Sequence, residues 1–247
     1  MAVKQLKNLL SFLTVFPVQM DENLLTDCAK NMWAFPLIGA FLGLLAGLFG
    51  WVALQVLPSI VVGGLALALL LWMTGLHHTD GLLDFGDGIM VHGSAEKKIA
   101  VMHDQLTGAG AIGLTLMTYL VTAFAFTALD KTVTVVTLEV PMIFPALIVV
   151  ELCAKLAMVV AAWAGKSVHE GMNTSFLKYM HGKGGNLRLV AALTVSLLVA
   201  VPLLWFKGAF MVLAHKHFKG VTGDVFGATN ELTRMVCVVA LLAVAAW

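Results

Sequence analysis

The chain has 247 residues, a net charge of +1, 60% hydrophobic and only 12% charged residues, and a mean hydropathy of +0.94. Soluble domains carry about a quarter charged residues. This chain has too little charge to build a solvated surface, so most of it must face lipid. The charge balance gives no argument for nucleic acid or for a strongly acidic partner. Cys28, Cys153 and Cys237 are odd in number and widely spaced, without a zinc or redox pattern, and read as small buried hydrophobes.

In chain order, residues 1–33 read as an amphipathic segment at the membrane surface, with Lys4 and Lys7 on its wet side. A spanning helix needs about 20 mostly apolar residues. The stretches 34–57, 60–77, 109–129, 142–164 and 232–247 meet that need, with 133–140 a partial segment outside the membrane. Residues 189–214 are interrupted by Pro202 and Lys207 and are read as two short or broken helices that leave and return. The expected fold is an all-α polytopic membrane bundle of about six spanning helices, five to seven, in a single domain. Gly39, Gly43 and Gly47, spaced four apart, predict a ridge on which another helix packs closely. Basic residues gather beside three polar stretches, 78–108, 165–188 and 215–231. This places all three on the cytoplasmic face of the inner membrane.

The first of these stretches carries the chemistry. If the second span continues as a helix through GLHHTDGLLDFGDG, then His77, Asp80, Asp84 and Asp87 fall within an arc of about 80°. Gly81 and Gly88 lie beside them and leave the backbone open to a bulky ligand, while His78 points away. Stacked carboxylates repel, and the only local cations are Lys97 and Lys98, so a divalent metal is the economical counter-charge. Oxygen-only ligands favour Mg²⁺, Mn²⁺ or Ca²⁺. Asp104 and a Gly-rich turn precede the 109–129 span, where free backbone N–H groups suit a phosphate. Asp224 and Glu231, seven apart with Gly227 between them, repeat the acid–glycine–acid pattern. Glu139 and Glu151 fit no part of this scheme. Carboxylates, Mg²⁺ and a phosphate-friendly turn together point to phosphoryl or nucleotidyl-type transfer.

The set FPLIG at 35–39, HTDGLLDFGDG at 78–88, MHD at 102–104 with Gly108, EG at 170–171 and TGDVFGATNE at 222–231 resembles the cobalamin synthase family. The resemblance runs from about residue 9 to the C-terminus in the same motif order. It implies an adenosylcobinamide-GDP ribazoletransferase that requires Mg²⁺. In that reaction α-ribazole, or its 5′-phosphate, joins the corrinoid and GMP leaves. Carried onto this chain, the family motif maps Asp80, Gly81, Asp84, Asp87, Asp104, Glu170, Thr222, Gly223, Asp224 and Glu231.

The expected metal ligands are thus Asp80, Asp84, Asp87, Asp224 and Glu231. Gly81, Gly88, Gly108, Glu170, Thr222 and Gly223 are the expected substrate contacts. Asp80 and Asp104 are expected to take part in catalysis, with His77 or His103 as general base for the ribazole 5′-hydroxyl. The chain departs from the family pattern at His103-Asp104-Gln105, at Val15, and in lacking an arginine just before Glu170-Gly171. Two other readings are a divalent-cation transporter and a CDP-alcohol type phosphotransferase, although no Ala-Arg follows Asp80-Gly81. The expected partners are the two substrates and the lipid bilayer, with a homo-oligomer left open.

Overall fold

The computed structural model describes residues 3–18, 22–135, 138–168, 171–200 and 220–245. Helix α1 (Val3–Leu13) buries Leu9 and Leu13 and leaves Lys4 and Lys7 on its exposed side, as its amphipathic pattern predicts. Next come α2 (Leu24–Lys30), a 3-10 turn (Met32–Ala34) and α3 (Phe35–Ala53). Then follow α4 (Ser59–Met73), α5 (His77–Met90), α6 (Ala95–Met102) and α7 (Ala109–Thr127). A hairpin of β1 (Thr132–Val135) and β2 (Leu138–Pro141) pairs antiparallel, Thr132 opposite Pro141, and so replaces the partial segment expected there. Helices α8 (Ile143–Ala164), α9 (Met172–His181), α10 (Gly185–Ala200) and α11 (Gly223–Ala245) complete the described chain.

Four stretches are long and apolar enough to cross a membrane: Met32–Ala53, Ala109–Thr127, Ile143–Ala164 and Gly223–Ala243. Helix α4 is apolar but only 15 residues long and reaches that length only when joined to α5, so the described residues hold four or five spans against the expected five to seven. The polytopic helical bundle is as expected. Whether the chain leaves and returns within 201–219 lies outside the described residues.

The glycine ridge does what its spacing predicts. A Cβ on Gly39 would collide with the Glu151 carbonyl, and one on Gly43 with that of Leu147. On Gly47 it would sit 2.6 Å from the Phe144 carbonyl oxygen. Helices α3 and α8 therefore run antiparallel with their backbones nearly touching. In lipid, where no hydrophobic drive separates helix from solvent, such close van der Waals packing is what holds spans together.

The acidic helix is not the continuation of the second span. Helix α4 stops at Met73, and α5 leaves at 97° to it. Gly75 (φ +63°) and Leu76 (φ +59°) are both left-handed. Gly75 N–H donates to the Trp72 carbonyl (3.0 Å) and Leu76 N–H to that of Leu71 (3.1 Å). This paired closure satisfies the last carbonyls of α4 and turns the chain sideways. A right-angled pair is not one straight crossing, so we read α5 as lying across the end of the bundle, outside the spanning segments.

The last helix is also longer than expected. It begins at Gly223 and takes Asp224 and Glu231 into its first turns. Thr222 caps it, its Oγ1 accepting from Val225 N–H (3.2 Å). The ends of α4 and α8 and the starts of α3, α7 and α11 gather around α5 and α9. The β-hairpin joins the far ends of α7 and α8.

Candidate active site

Helix α5 carries the acids, and two glycine contacts fix what stands beside it. On one flank a Cβ on Gly81 would lie 2.8 Å from the Asp224 carbonyl oxygen and 3.1 Å from Gly227 Cα. On the other, a Cβ on Gly86 would lie 2.8 Å from the Gly110 carbonyl oxygen. The N-terminal turns of α11 and α7 are thus pressed against α5, one on each side. The two distant acidic segments come together through Gly81 and Gly227.

Within α5 the expected face is real. His77 and Asp80 are exposed, Asp84 and Asp87 half-buried, and His78 buried on the other side. Asp80, Asp84, Asp87, His103 and Asp104 line a cavity of about 320 Å³. Burial, and then the charges of Asp224, Asp80 and Asp87 in that order, push the Asp84 carboxyl up to about 7. A carboxyl in this position keeps its proton to well above the usual carboxylate range unless a cation takes its place.

Asp87 already has work to do. Gly108 N–H donates to its Oδ2 (2.6 Å) and Ala111 N–H to its Oδ1 (2.8 Å). The side chain therefore caps α7 from a neighbouring helix and satisfies backbone donors that the helix start leaves open. Gly108 is accordingly a partner of Asp87 in the fold, with its own N–H already engaged. Asp104 Oδ1 accepts from Leu106 N–H (3.3 Å) at the cavity rim.

A second, larger chamber of about 540 Å³ adjoins this cavity. His77, His78, Gly81, Gly223 and Asp224 line it, together with a cluster of phenylalanines. The Phe12 and Phe176 rings have centroids 5.4 Å apart, Phe35 and Phe176 6.0 Å, and Phe176 and Phe226 6.4 Å. Asn173 on α9 steadies this wall, donating to the Val221 carbonyl (2.9 Å) just ahead of α11. His103 lines both the acidic cavity and the aromatic chamber.

Three expected site residues line neither cavity. Glu231 is buried inside the bundle, its carboxylate engaged by Arg234 Nη1, about 10 Å along α11 from Asp224. Gly88 is buried and lines neither cavity. Thr222 is a fully buried helix cap, with its hydroxyl near Asp224 Oδ2 (3.3 Å). Glu170 lies outside the described residues.

Among the described residues no three His, Cys, Asp or Glu side chains converge closely enough to enclose an ion by themselves. The donor set is nonetheless one of carboxylate oxygens at a polar cavity. That suits Mg²⁺, which keeps several waters and takes one or two carboxylates plus substrate phosphates.

Sequence reasoning overlooked two features. Glu151 and Arg234 pair across α8 and α11, with Arg234 Nη2 donating to Glu151 Oε2 (3.0 Å). Lys155 Nζ donates to Asn230 Oδ1 (2.7 Å), and Asn230 donates on to Glu231. Opposite charges at i, i+4 (Glu151 and Lys155) and at i, i+3 (Glu231 and Arg234) inside apolar spans were the available signal. The aromatic chamber had none, because its rings come from four separate elements.

The sequence profile described as cobalamin-5-phosphate synthase matches residues 5–242. The chain is 31% identical over 245 residues to a protein of Methanococcoides burtonii, covering 96% of this chain and 90% of that one. It is 32% identical over 239 residues to one of Thermococcus kodakarensis, covering 93% and 94%. A Methanocella arvoryzae protein is 30% identical, covering 93% and 92%. All three are named adenosylcobinamide-GDP ribazoletransferase. No solved structure matches.

Proposed function

The chain belongs to the cobalamin-5-phosphate synthase family, and from that premise we propose that it is an adenosylcobinamide-GDP ribazoletransferase. It joins α-ribazole, or its 5′-phosphate, to the cobinamide phosphate and releases GMP. One observation carries this reading at the level of the site: His103 borders both an acidic cavity and an aromatic chamber. A diphosphate and a nucleoside acceptor meet at such a border.

The acidic cavity takes the diphosphate. Bound Mg²⁺ would there neutralise phosphate oxygens and stabilise the departing GMP. Asp80 and Asp84 are the carboxylates of that cavity to hold it, and Asp224 stands near them where α11 borders the neighbouring aromatic chamber. Asp87 offers only the lone pairs that Gly108 and Ala111 leave over. Cavities of these volumes take drug-sized ligands. The corrin ring therefore stays outside, over the open face of α5.

The attacking oxygen is a ribose hydroxyl away from C5′. The family's name describes a 5-phosphate product, and a phosphorylated 5′-oxygen cannot attack. This replaces the 5′-hydroxyl of the sequence reading. The hydroxyl oxygen forms a bond to the cobinamide-side phosphorus, the anhydride P–O bond breaks, GMP leaves, and the hydroxyl proton passes to a base. Of the two candidate histidines, His103 borders both chambers and His77 only the aromatic one, so His103 is the better placed base.

In this reading the site end of the bundle faces the cytoplasm, because Lys97, Lys98, Lys166, Lys178, Lys183 and Arg188 gather there. A cation transporter would need acids poised inside the bundle, whereas Glu151 and Glu231 are paired with Arg234.

The test is a purified-protein assay with adenosylcobinamide-GDP and α-ribazole. GMP should appear with Mg²⁺ and stop with chelator. Absence of GMP under both conditions would overturn the assignment.

A further inference from the structure

Three apolar helices begin or end at one corner of the bundle. The span Met32–Ala53 begins there, the span Ile143–Ala164 ends there, and α10 starts there at Gly185. Such a level is where hydrocarbon gives way to headgroups. The side chains gathered at it fit that border. Trp163 is exposed, and its indole N–H donates to Asn186 Oδ1 (2.8 Å). Tyr179 stands half-buried near the end of α9. Aromatic rings with a polar tip collect at this depth.

Around Tyr179 the charge is positive. Lys30 Nζ, at the end of α2, lies 5.7 Å from the ring centre, and the Arg188 guanidinium, on α10, lies 5.8 Å from it. Arg188 also rivets the corner. Its Nε donates to the Lys30 carbonyl (2.9 Å), and its Nη1 to those of Tyr179 (3.1 Å) and Lys183 (3.3 Å). Carbonyls are neutral acceptors, so these bonds fix the guanidinium without cancelling its charge, and they leave Nη2 without a described acceptor.

No carboxylate among the described residues pairs with Lys30, Lys178, Lys183 or Arg188. The nearest acid in sequence, Asp27, accepts from Asn8 Nδ2 (2.9 Å). The three lysines are exposed. Four cations at headgroup depth, with no described counter-charge from the protein, need an anion from outside it.

The bilayer supplies phosphate at this level. Beside the corner, α10 shows lipid an apolar face through Leu187, Val190 and Leu197. We propose that this corner is a binding site for the headgroup phosphate of an anionic phospholipid, with Lys30, Lys183 and Arg188 around the phosphate and the acyl chains along α10. Basic pockets beside spanning helices recognise such headgroups by charge. A zwitterionic headgroup brings its own cation into the same cluster and gains less. The site stands apart from the transferase reading. It ties to the bilayer surface the helix whose Asn173 and Phe176 line the aromatic chamber.

The test titrates delipidated protein in detergent with phosphatidylglycerol and with phosphatidylcholine, and counts intact complexes by native mass spectrometry. Lys30→Gln/Lys183→Gln removes two charges and spares the Arg188 rivet, which uses only the backbone carbonyls of those residues. Wild type should prefer phosphatidylglycerol. The double variant should bind it about 30-fold more weakly, with phosphatidylcholine unchanged. Lys97→Gln/Lys98→Gln, which removes the same charge from α6, should bind both lipids as wild type does. Phosphatidylglycerol should also raise the unfolding temperature of wild type and leave that of Lys30→Gln/Lys183→Gln where it was.

No preference in wild type would overturn the site. Equal losses in the two double variants would reduce it to general charge attraction and overturn it as well. So would inorganic phosphate that raises the wild-type unfolding temperature as far as phosphatidylglycerol does at the same concentration, since the anion would then be a soluble one.

Discussion

Gly81 on α5 faces Asp224 on α11 so closely that a Cβ on the glycine would sit 2.8 Å from the Asp224 carbonyl oxygen. The neighbours of that hypothetical atom are backbone, with no flexible side chain to yield. Gly81→Ala should therefore push α11 away, at an overpacking cost of about 1–3 kcal/mol. Displacing Asp224 by about 1 Å should lower turnover about 100-fold. Thermal unfolding in detergent and GMP release, measured on the same preparation, check both halves.

The sequence treats Asp84 and Asp87 alike, and the structure separates them. Asp84→Asn removes a charge that its neighbours oppose, so it should abolish turnover without loss of stability. Asp87→Asn breaks a cap made with Gly108 and Ala111 and should cost about 1–3 kcal/mol of stability besides its effect on rate. Equal unfolding temperatures for the two variants would contradict this division.

The raised Asp84 carboxyl sets a sign for pH. Its ordinary value is 3.8, and the fold lifts it to about 7. Between those values the folded protein holds a proton that the unfolded chain has released. Stability without metal should therefore fall as pH rises from about 4 to about 7 and level off above. The proposed Mg²⁺ would bind the ionised form, so raising its concentration should flatten that fall and move the acid limb of the rate profile to lower pH. Asp84→Asn should flatten the stability profile without metal.

Glu151, Lys155, Glu231 and Arg234 are two anions and two cations sealed between α8 and α11. Arg234→Met leaves an unbalanced buried carboxylate and should cost about 3–5 kcal/mol. The double variant Glu151→Leu/Arg234→Met removes one charge of each sign and leaves Lys155 with Glu231. It should recover much of the loss, as read by yield of monodisperse protein and unfolding temperature.

How far the sequence reached can be judged from particular residues. Gly39, Gly43 and Gly47 predicted the α3–α8 contact because a four-residue spacing maps directly onto one helix face. The acidic face of α5 was legible for the same reason, since its angular relation holds on any helix. The direction of that helix was not, because Gly75 and Leu76 end α4 through a backbone closure that apolar periodicity does not register. The burial of Glu231 was not legible because spacing alone cannot say which way a face points; its partner Arg234 sits one turn away. The aromatic chamber depends on Phe12, Phe35, Phe176 and Phe226 meeting in space, which no local pattern contains.

The central claim is that α5 and α11, distant in sequence, build one reaction centre. A double-mutant cycle on the rate of GMP release tests it most directly. Asp84→Asn and Asp224→Asn should each slow release by at least about 100-fold. If both carboxylates serve one centre, the double variant should be no slower than the slower single variant, because a centre already disabled has little left to lose. Multiplying effects, about 10,000-fold in the double variant, would mean two independent sites and would contradict the account.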